Sequence, residues 1–438
     1  MPDTRGRWWG ENELSMAKKK QIQADTLPLV AIDLGSDSIR AMAAKSVGDD
    51  MLQILGVEEL RRNCVEQGVV KQSSDAGFAI SRVLQLLANR IGVEELPTAF
   101  VSVGGKKLTI VDVRHAHDQV RKREVTQAIL DKMEAECRQK LEDHNPEVCV
   151  PALIPVYYKL DGVEVDTLPL EGRRAAMIEG FYTAFAGTKE MAVLLDKAFN
   201  QAGRSIEASF VRPEALFSAF STADGARILT DGCAILDMGA QTTTLTIYKA
   251  PEYLYCRVIP QGGYHITRTI EDQGIAFDMA ERLKKKCGYA SADLIEQSFK
   301  VHVPASEEIG GQLTMTGEDL AFQINLKLDE ILMELMKALK PYEARLKRLY
   351  VTGGASMLKG IIPYLQQKTN LEVLYGSHAG ILAGKVEESY YEPRYSALVG
   401  TLLLGADYRA AHPGEEVKKP TFKQRVEDTL VSMFDAAE

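Results

Sequence analysis

Two stretches of the chain share one pattern of apolar and polar positions. Residues 29–45 read LVAIDLGSDSIRAMAAK and residues 234–248 read AILDMGAQTTTLTIY. In each, a short apolar run ends at Asp-x-Gly and a second apolar, β-branched run follows, which predicts a strand, a tight turn and a second strand. Asp and Gly are common in ordinary turns, so one such hairpin alone would indicate only a turn. Two of them, in the two halves of one chain, predict an internal duplication.

The residues of both turns suit the binding of phosphate. Glycine allows a ligand to approach the backbone, successive N–H groups in a turn bind anions, and hydroxyls donate to phosphate oxygens. The carboxylates of Asp33 and Asp237 would repel phosphate, but they can hold a hydrated Mg²⁺. We therefore predict one Mg²⁺ held through water by these two aspartates. The predicted phosphate-binding residues are Gly35, Ser36, Ser38, Gly239, Gln241, Thr242 and Thr243.

Two further stretches are predicted to contact an adenosine group. RLYVTGGASMLKGIIPYL (348–365) predicts a strand that ends in two glycines, followed by a helix from about Met357 that Ser356 could cap. AERLKKKCG (280–288) places an acidic and a basic residue one helical turn apart. An ordinary strand–turn–helix connection and a solvated charged helix are the alternatives. The predicted adenosine-binding residues are Gly353, Gly354, Glu281 and Lys284.

The order of these motifs resembles the superfamily of actin, heat-shock-chaperone and sugar-kinase ATPases. Within it, the chain resembles the FtsA family of bacterial cell-division proteins. Three stretches carry that resemblance: GVEELRRNCVEQGVVKQ (56–72), REVTQAILDKMEAECRQKL (123–141) and IPQGGYHITRTI (259–270). The resemblance implies ATP and Mg²⁺ as ligands.

The resemblance also implies a fold. We expect an α/β, actin-like two-domain ATPase fold with an inserted small α/β subdomain and a C-terminal amphipathic helix. Helices are predicted near 74–91, 126–141, 189–203, 263–287, 318–339 and 393–406. The expected domains are a disordered extension (1–26), domain 1 (27–103, 188–230 and 380–405), subdomain 1C (104–187), domain 2 (231–379), a linker (406–420) and the amphipathic helix (421–438).

The connecting stretch VRPEALFSAF (211–220) bears on hydrolysis. Heat-shock chaperones, which this superfamily includes, place a glutamate directly before a proline in this helix, where it positions the attacking water. Here Arg212 precedes Pro213, and Glu214 follows it. A misplaced base lowers the rate steeply, so the cleft is predicted to hold ATP and to be at most a slow ATPase. The alternative is that Glu214 is the catalytic residue.

The last stretch, TFKQRVEDTLVSMFDAAE (421–438), predicts an amphipathic helix. Its apolar face carries Phe422, Val426, Leu430, Met433 and Phe434. By resemblance this helix is a membrane anchor, although membrane-bound helices are usually rich in Lys and Arg and here acidic residues offset the basic ones. The alternative is a helix docked on the protein's own body.

Composition is typical of a globular protein and argues against one functional class, the nucleic-acid-binding proteins. The 438 residues are 45% hydrophobic and 26% charged, which is ordinary globular composition, and the net charge of −9 argues against nucleic-acid binding. Six cysteines without zinc or redox spacing suit a reducing cytoplasm.

The resemblance implies four kinds of partner: the FtsZ C-terminal peptide, other copies of the chain head to tail in a filament, membrane lipid and downstream division proteins. It places the protein at the division site, on the cytoplasmic face of the inner membrane. A pilus-associated relative of FtsA and a small-molecule kinase of the same superfold are the alternatives.

Overall fold

The computed structural model describes residues 28–48, 50–96, 98–165, 170, 172–307 and 309–412. The predicted N-terminal extension (1–26) and the predicted amphipathic helix (421–438) lie outside these residues. Most of the predicted linker also lies outside them.

Strands and helices alternate along the described residues. The strands are β1 (Leu29–Leu34), β2 (Ser38–Ser46), β3 (Leu52–Arg61), β4 (Val65–Glu66), β5 (Val69–Val70), β6 (Thr98–Val103), β7 (Thr109–Glu124), β8 (Val148–Leu160), β9 (Val163–Val165), β10 (Arg174–Thr188), β11 (Ser205–Val211), β12 (Cys233–Met238), β13 (Thr243–Lys249), β14 (Glu252–Ile259), β15 (Lys300–Pro304), β16 (Gln312–Thr316), β17 (Arg348–Thr352) and β18 (Glu372–Tyr375). The helices are α1 (Ser73–Ile91), α2 (Gln127–His144), α3 (Lys189–Gln201), α4 (Arg212–Asp224), α5 (Ala226–Asp231), α6 (Gly263–Glu271), α7 (Phe277–Cys287), α8 (Gly317–Leu339), α9 (Ile361–Gln366) and α10 (Ser396–Ala411).

Two five-stranded sheets have the same strand order and the same strand directions. The first runs β11-β6-β1-β2-β3 and the second runs β18-β17-β12-β13-β14. In each, the predicted hairpin is antiparallel and its first strand pairs in parallel with the strand on its other side. The repeated topology agrees with the predicted duplication, and it places the Asp-x-Gly turns at equivalent ends of β1 and β12. The α/β fold class is confirmed.

A third sheet is inserted between β6 and β11. It runs β7-β10-β8-β9, its neighbours pair antiparallel, and α2 packs on it. The sheet and the helix share a separate core, which contains Met133 and Tyr182. The helix predicted at 126–141 is therefore present as α2, three residues longer at its end.

Helix α4 is positioned by its packing on α10. As predicted from its apolar sequence, α10 is buried on most sides, with residues 396–403 all buried.

The helix predicted from Met357 instead begins at Ile361, because Ser356 donates to the Gly353 carbonyl oxygen within a 3₁₀ turn, Gly354–Met357. None of the helices among the described residues combines the length and the apolar character needed to cross a membrane.

The crossing of α4 and α10 leaves no room for a methyl group at Gly400. A Cβ there would collide with the Ala215 carbonyl oxygen in α4. Gly→Ala normally stabilises a helix interior, but we expect Gly400→Ala to lower the apparent melting temperature by at least about 4 °C, because the helices must separate.

Thermal unfolding followed by circular dichroism measures this effect. Gly354→Ala is the control, because nothing lies within 4 Å of a Cβ at that position. A melting temperature of Gly400→Ala at or above that of the wild type would contradict the close crossing.

Candidate functional site

The ends of β1 and β12 face each other across a cavity of about 470 Å³. Both sheets, α4, α6 and α7 contribute to its wall. The cavity brings together ten residues that the sequence singles out: Asp33, Gly35, Ser36, Ser38, Asp237, Gly239, Thr242, Glu281, Lys284 and Gly354.

The two turns have the same internal geometry. Gly35 N–H donates to the Ser38 carbonyl oxygen (3.1 Å), and Gly239 N–H donates to the Thr242 carbonyl oxygen (2.8 Å). A Cβ on either glycine would lie 2.9–3.0 Å from that same oxygen, closer than real Cβ contacts normally come. Glycine is therefore required by the tightness of the turn at both strand ends.

One arginine bridges the two aspartates that end the facing strands. Arg212, the first residue of α4, donates from Nη1 to Asp33 Oδ1 (2.6 Å) and from Nε to Asp237 Oδ2 (2.5 Å). Both carboxylates are buried. Burial opposes the charge of Arg212, but the two carboxylates outweigh it and raise its pKa above the usual value. The guanidinium thus joins the two halves of the molecule by charge-assisted hydrogen bonds, which are stronger than neutral ones.

A second arginine continues this network into β2 and β3. Arg40 lies 3.5 Å from Asp33 Oδ2 and 3.1 Å from Glu59 Oε1. The Ser38 hydroxyl donates to the same glutamate at 2.5 Å. Burial opposes ionisation of Glu59, but Arg40, the Ser38 hydroxyl and Arg394 together outweigh it and lower the pKa of Glu59. In this arrangement the Ser38 hydroxyl is directed at Glu59, and not at the position predicted for phosphate.

The Glu281–Lys284 pair of α7 lies in the cavity wall. Lys284 Nζ donates to Glu281 Oε2 (2.6 Å), to the Thr267 hydroxyl (2.7 Å) and to the Gly263 carbonyl oxygen (2.7 Å). Burial lowers the pKa of Lys284. Burial opposes ionisation of Glu281, but the charge of Lys284 and the hydrogen bonds from Lys284, Thr267 and Lys285 together outweigh it and lower the pKa of Glu281. The pair is a buried cross-link between α6 and α7 and not a solvated charged face.

Two hydrogen bonds cross the cleft beside the turns. Tyr264 at the start of α6 donates to Asp37 in the first turn (2.6 Å), and Gln241 in the second turn accepts from the Gln67 N–H (2.8 Å). The predicted phosphate ligand Gln241 therefore joins the domains, and it does not line the cavity. Thr243 is also turned away, since its buried hydroxyl donates to the Gln261 carbonyl oxygen (2.9 Å).

The two glycines after β17 have different surroundings. Gly353 has φ +89°, and a Cβ there would lie 2.5 Å from Asp237 Oδ1 and from the Met238 carbonyl oxygen. Gly353 therefore lets β17 approach the end of β12 and lies behind the cavity wall. Gly354 lines the cavity, and a Cβ at this position would have no other atom within 4 Å.

Charge is balanced along the cavity wall. Each acidic side chain has a basic or hydroxyl neighbour: Asp33 and Asp237 with Arg212, Asp37 with Tyr264, Glu59 with Arg40, Glu281 with Lys284, and Glu392 with Arg394. Arg61 and Lys285 also line the cavity, and both are at least half exposed. The lining is therefore close to neutral, with two basic side chains that remain at least half exposed.

The residues present do not fit the Mg²⁺ that the sequence predicts. Mg²⁺ needs near-octahedral oxygen ligands and usually keeps several waters. Both oxygens of Asp33 and one of Asp237 are bonded to guanidinium groups, and Asp237 Oδ1 is the one carboxylate oxygen of the pair left without a hydrogen bond among the described residues. Nor do the described residues contain a group of three or more His, Cys, Asp or Glu that could hold a metal ion.

Comparisons with known proteins identify the relatives of this chain. The family model described as "Cell division protein FtsA" matches residues 234–400. The Cell division protein FtsA of Enterococcus faecalis is 23% identical over 404 residues, which cover 90% of this chain and 89% of that protein. That of Bacillus subtilis is 24% identical over 417 residues, which cover 92% and 89%. The chain is thus similar in sequence to the FtsA cell-division proteins over about nine-tenths of its length.

Solved structures agree on the fold. A chain of the PilM–PilN type IV pilus biogenesis complex is 16% identical, covers 86% of this chain and 98% of its own length, and has a TM-score of 0.62. MreB5 of Spiroplasma citri bound to ADP is 12% identical, covers 89% of this chain and 100% of its own length, and has a TM-score of 0.50. This FtsA relative therefore has the actin-like fold.

Sequence reasoning missed three residues that line the cavity. They are Arg40, Glu59 and Tyr264. The register of β2 with β3 places Arg40 beside Glu59, and the contact between the two domains places Tyr264 beside Asp37. The alternation of β2 could have indicated Arg40, because Arg40 pairs with Asp33 in the hairpin register.

Glu214, the candidate catalytic residue, lies outside the cavity. Arg212 and Glu214 are two residues apart in α4, which places them about 200° apart around the helix. Glu214 accepts the backbone N–H of Val211, the N-cap residue, as a glutamate at the third helical position commonly does. Burial raises the pKa of Glu214 to about 7. The residue is thus placed to cap α4.

We expect Glu214→Gln to stabilise the protein more at pH 8 than at pH 5. The folded pKa of Glu214 exceeds the unfolded one, so the wild type loses stability as pH rises from about 4.5 to about 7. Gln keeps an acceptor oxygen without ionising, and the gain at pH 8 should be on the order of 2 kcal/mol.

Melting temperatures at the two pH values measure this difference. Glu190→Gln, an exposed change in the first turn of α3, is the control. A catalytic role for Glu214 would instead predict the same stability and a loss of ATP turnover.

Proposed function

We propose that this FtsA relative binds ATP in the cavity between its two domains and acts in cell division. The observation that carries the proposal is the pair of equivalent glycine turns, at the ends of β1 and β12, that face one cavity. Turns of this kind present backbone N–H groups to anions, and two of them opposite each other suit a chain of phosphates.

The rest of the cavity wall supports an adenine nucleotide. Arg61 and Lys285 can reach toward phosphate oxygens from the rim. Gly354, Ala355 and Leu358 form a wall with little polar character, where a flat ring has room. The likeness in fold to MreB5, which was solved with ADP, supports the same ligand class.

The pairing of the carboxylates argues for slow turnover and against a small-molecule kinase. A general base needs a carboxylate that can take a proton at the reacting atom. All the acidic side chains of the cavity wall are paired with a basic or hydroxyl group, and Glu214 lies elsewhere. We therefore infer that ATP acts mainly as a bound ligand, with at most slow hydrolysis.

The cellular role follows from the relatives. They carry the name Cell division protein FtsA and align with about nine-tenths of this chain. We infer that the chain assembles head to tail, binds the FtsZ C-terminal peptide and downstream division proteins, and holds them at the cytoplasmic face of the inner membrane at the division site. Residues 421–438 would be the membrane anchor.

A pilus-associated role is the second candidate. It is favoured by the likeness in fold to a chain of the PilM–PilN complex, which extends over 98% of that chain. The sequence comparisons favour division, because the relatives named for division align with about nine-tenths of this chain at higher identity, 23–24%.

A graded series at Gly354 tests nucleotide binding. Gly354 lines the cavity and a Cβ there meets no atom within 4 Å, so Gly354→Ala, Gly354→Leu and Gly354→Trp should weaken binding of a fluorescent ATP analogue increasingly in that order. The largest change should cost at least about tenfold in Kd, since it fills the ligand volume.

The melting temperature should stay constant across the series. Gly380→Ala, which makes an ordinary contact outside the cavity, is the control. Undiminished binding by Gly354→Trp would place the nucleotide elsewhere.

Removal of residues 418–438 tests the anchor. The truncated protein should keep its nucleotide affinity but should no longer sediment with anionic vesicles or carry FtsZ to them. Leu430→Asp should weaken vesicle binding, because it breaks the apolar face, whereas Glu427→Lys should strengthen it. One short helix binds weakly, so sedimentation should rise steeply with protein concentration as filaments present many copies. Equal sedimentation of the truncated protein would support a helix docked on the protein instead.

A further inference from the structure

Arg212 lies between the two aspartates that the sequence predicts to hold Mg²⁺. It contacts Asp33 at 2.6 Å and Asp237 at 2.5 Å, and these carboxylates are 2% and 6% exposed. Buried pairs of this kind are screened little by salt. Its guanidinium keeps its charge at any physiological pH.

We propose that the Arg212 guanidinium takes the place of the divalent cation, so that the chain binds a nucleoside triphosphate without Mg²⁺. This inference rests on the proposed nucleotide binding. A cation at this position has to neutralise the two aspartates and also to contact the phosphates, and the geometry allows Arg212 to do both.

The remaining donors of Arg212 support contact with phosphate. A guanidinium has five N–H donors in a planar fork. The contacts to the aspartates use Nε and Nη1, so Nη2 remains to donate to a phosphate oxygen. The side chain lines the cavity and keeps 22% exposure, which gives a ligand access to it.

The position of Arg212 in the chain also points to a specific role. Arg212 is the first residue of α4, where the helix dipole disfavours a positive charge. The two carboxylates offset that cost. A residue that opposes its local structure and is compensated only by tertiary contacts is typical of a functional position.

A divalent ion and the guanidinium exclude each other here. Both carry positive charge, and they would compete for the same carboxylate oxygens at contact distance. An ion could enter only if Arg212 gave up both charge-assisted hydrogen bonds, and removal of one member of a buried ion pair is strongly destabilising.

The first test uses the unmodified protein. A fluorescent ATP analogue is titrated in EDTA and again in excess MgCl₂. We expect the two dissociation constants to agree within about threefold. Binding that is more than about tenfold tighter with Mg²⁺ would overturn the inference and leave the proposed function intact. Absence of binding in both buffers would instead contradict the proposed function.

The second test measures metal binding without nucleotide. In Arg212→Met the aspartates are released, so Mg²⁺ or Mn²⁺ should raise the melting temperature of this variant and should leave that of the wild type unchanged. Arg257→Met removes an exposed pair with Glu334 outside the cavity and is the matched control. A metal-dependent rise in the wild type equal to that of Arg212→Met would overturn the inference.

Arg212→Lys covers the possibility that Arg212→Met does not fold. Lysine keeps the charge but is a compact ammonium that cannot bridge two carboxylates as a planar fork does. We expect its nucleotide affinity to improve at least about threefold when Mg²⁺ is added, unlike that of the wild type. The same insensitivity to Mg²⁺ in Arg212→Lys as in the wild type would show that the bridge by Arg212 has no part in the metal independence.

Discussion

The bridge from Arg212 to Asp33 and Asp237 is the interaction on which the arrangement of this molecule depends. The two aspartates end equivalent strands of two separate sheets, and a single guanidinium neutralises both. Without it, two buried carboxylates would face each other across a cavity, and like charges at short range repel strongly in a medium of low dielectric constant. The bridge therefore allows the strand ends to meet and fixes the width of the cavity.

The same bridge explains why α4 is packed so tightly. To bring Arg212 between the strand ends, the start of α4 has to lie directly under both sheets. Three features hold it there: Gly400 allows α10 to cross it closely, Glu214 caps its first turn, and β11 leads directly into it. Small shifts of this helix would move the guanidinium away from one of the aspartates. Stability and the geometry of the cavity are consequently coupled through one short segment.

The two halves of the chain are alike in topology but have come to use their matching positions differently. Both turns have the same glycine geometry. Asp37 in the first turn accepts from the Tyr264 hydroxyl, whereas the matching Gln241 in the second turn accepts from the Gln67 N–H. Side chains at matching positions thus have different partners, according to which neighbours the fold brings to them.

The sequence by itself determined the elements and their repetition. Apolar runs of strand length, Asp-x-Gly turns and the apolar character of α10 depend on local chemistry, and the structure has them close to where the pattern predicts. Tertiary structure decided which polar groups meet. Arg212 and Asp33 are 179 residues apart, and Tyr264 and Asp37 are 227 apart, so no local periodicity relates them. Whether two facing carboxylates hold a metal ion or an arginine depends on the distance between charged groups in space. That distance is set only when both sheets and α4 have packed together.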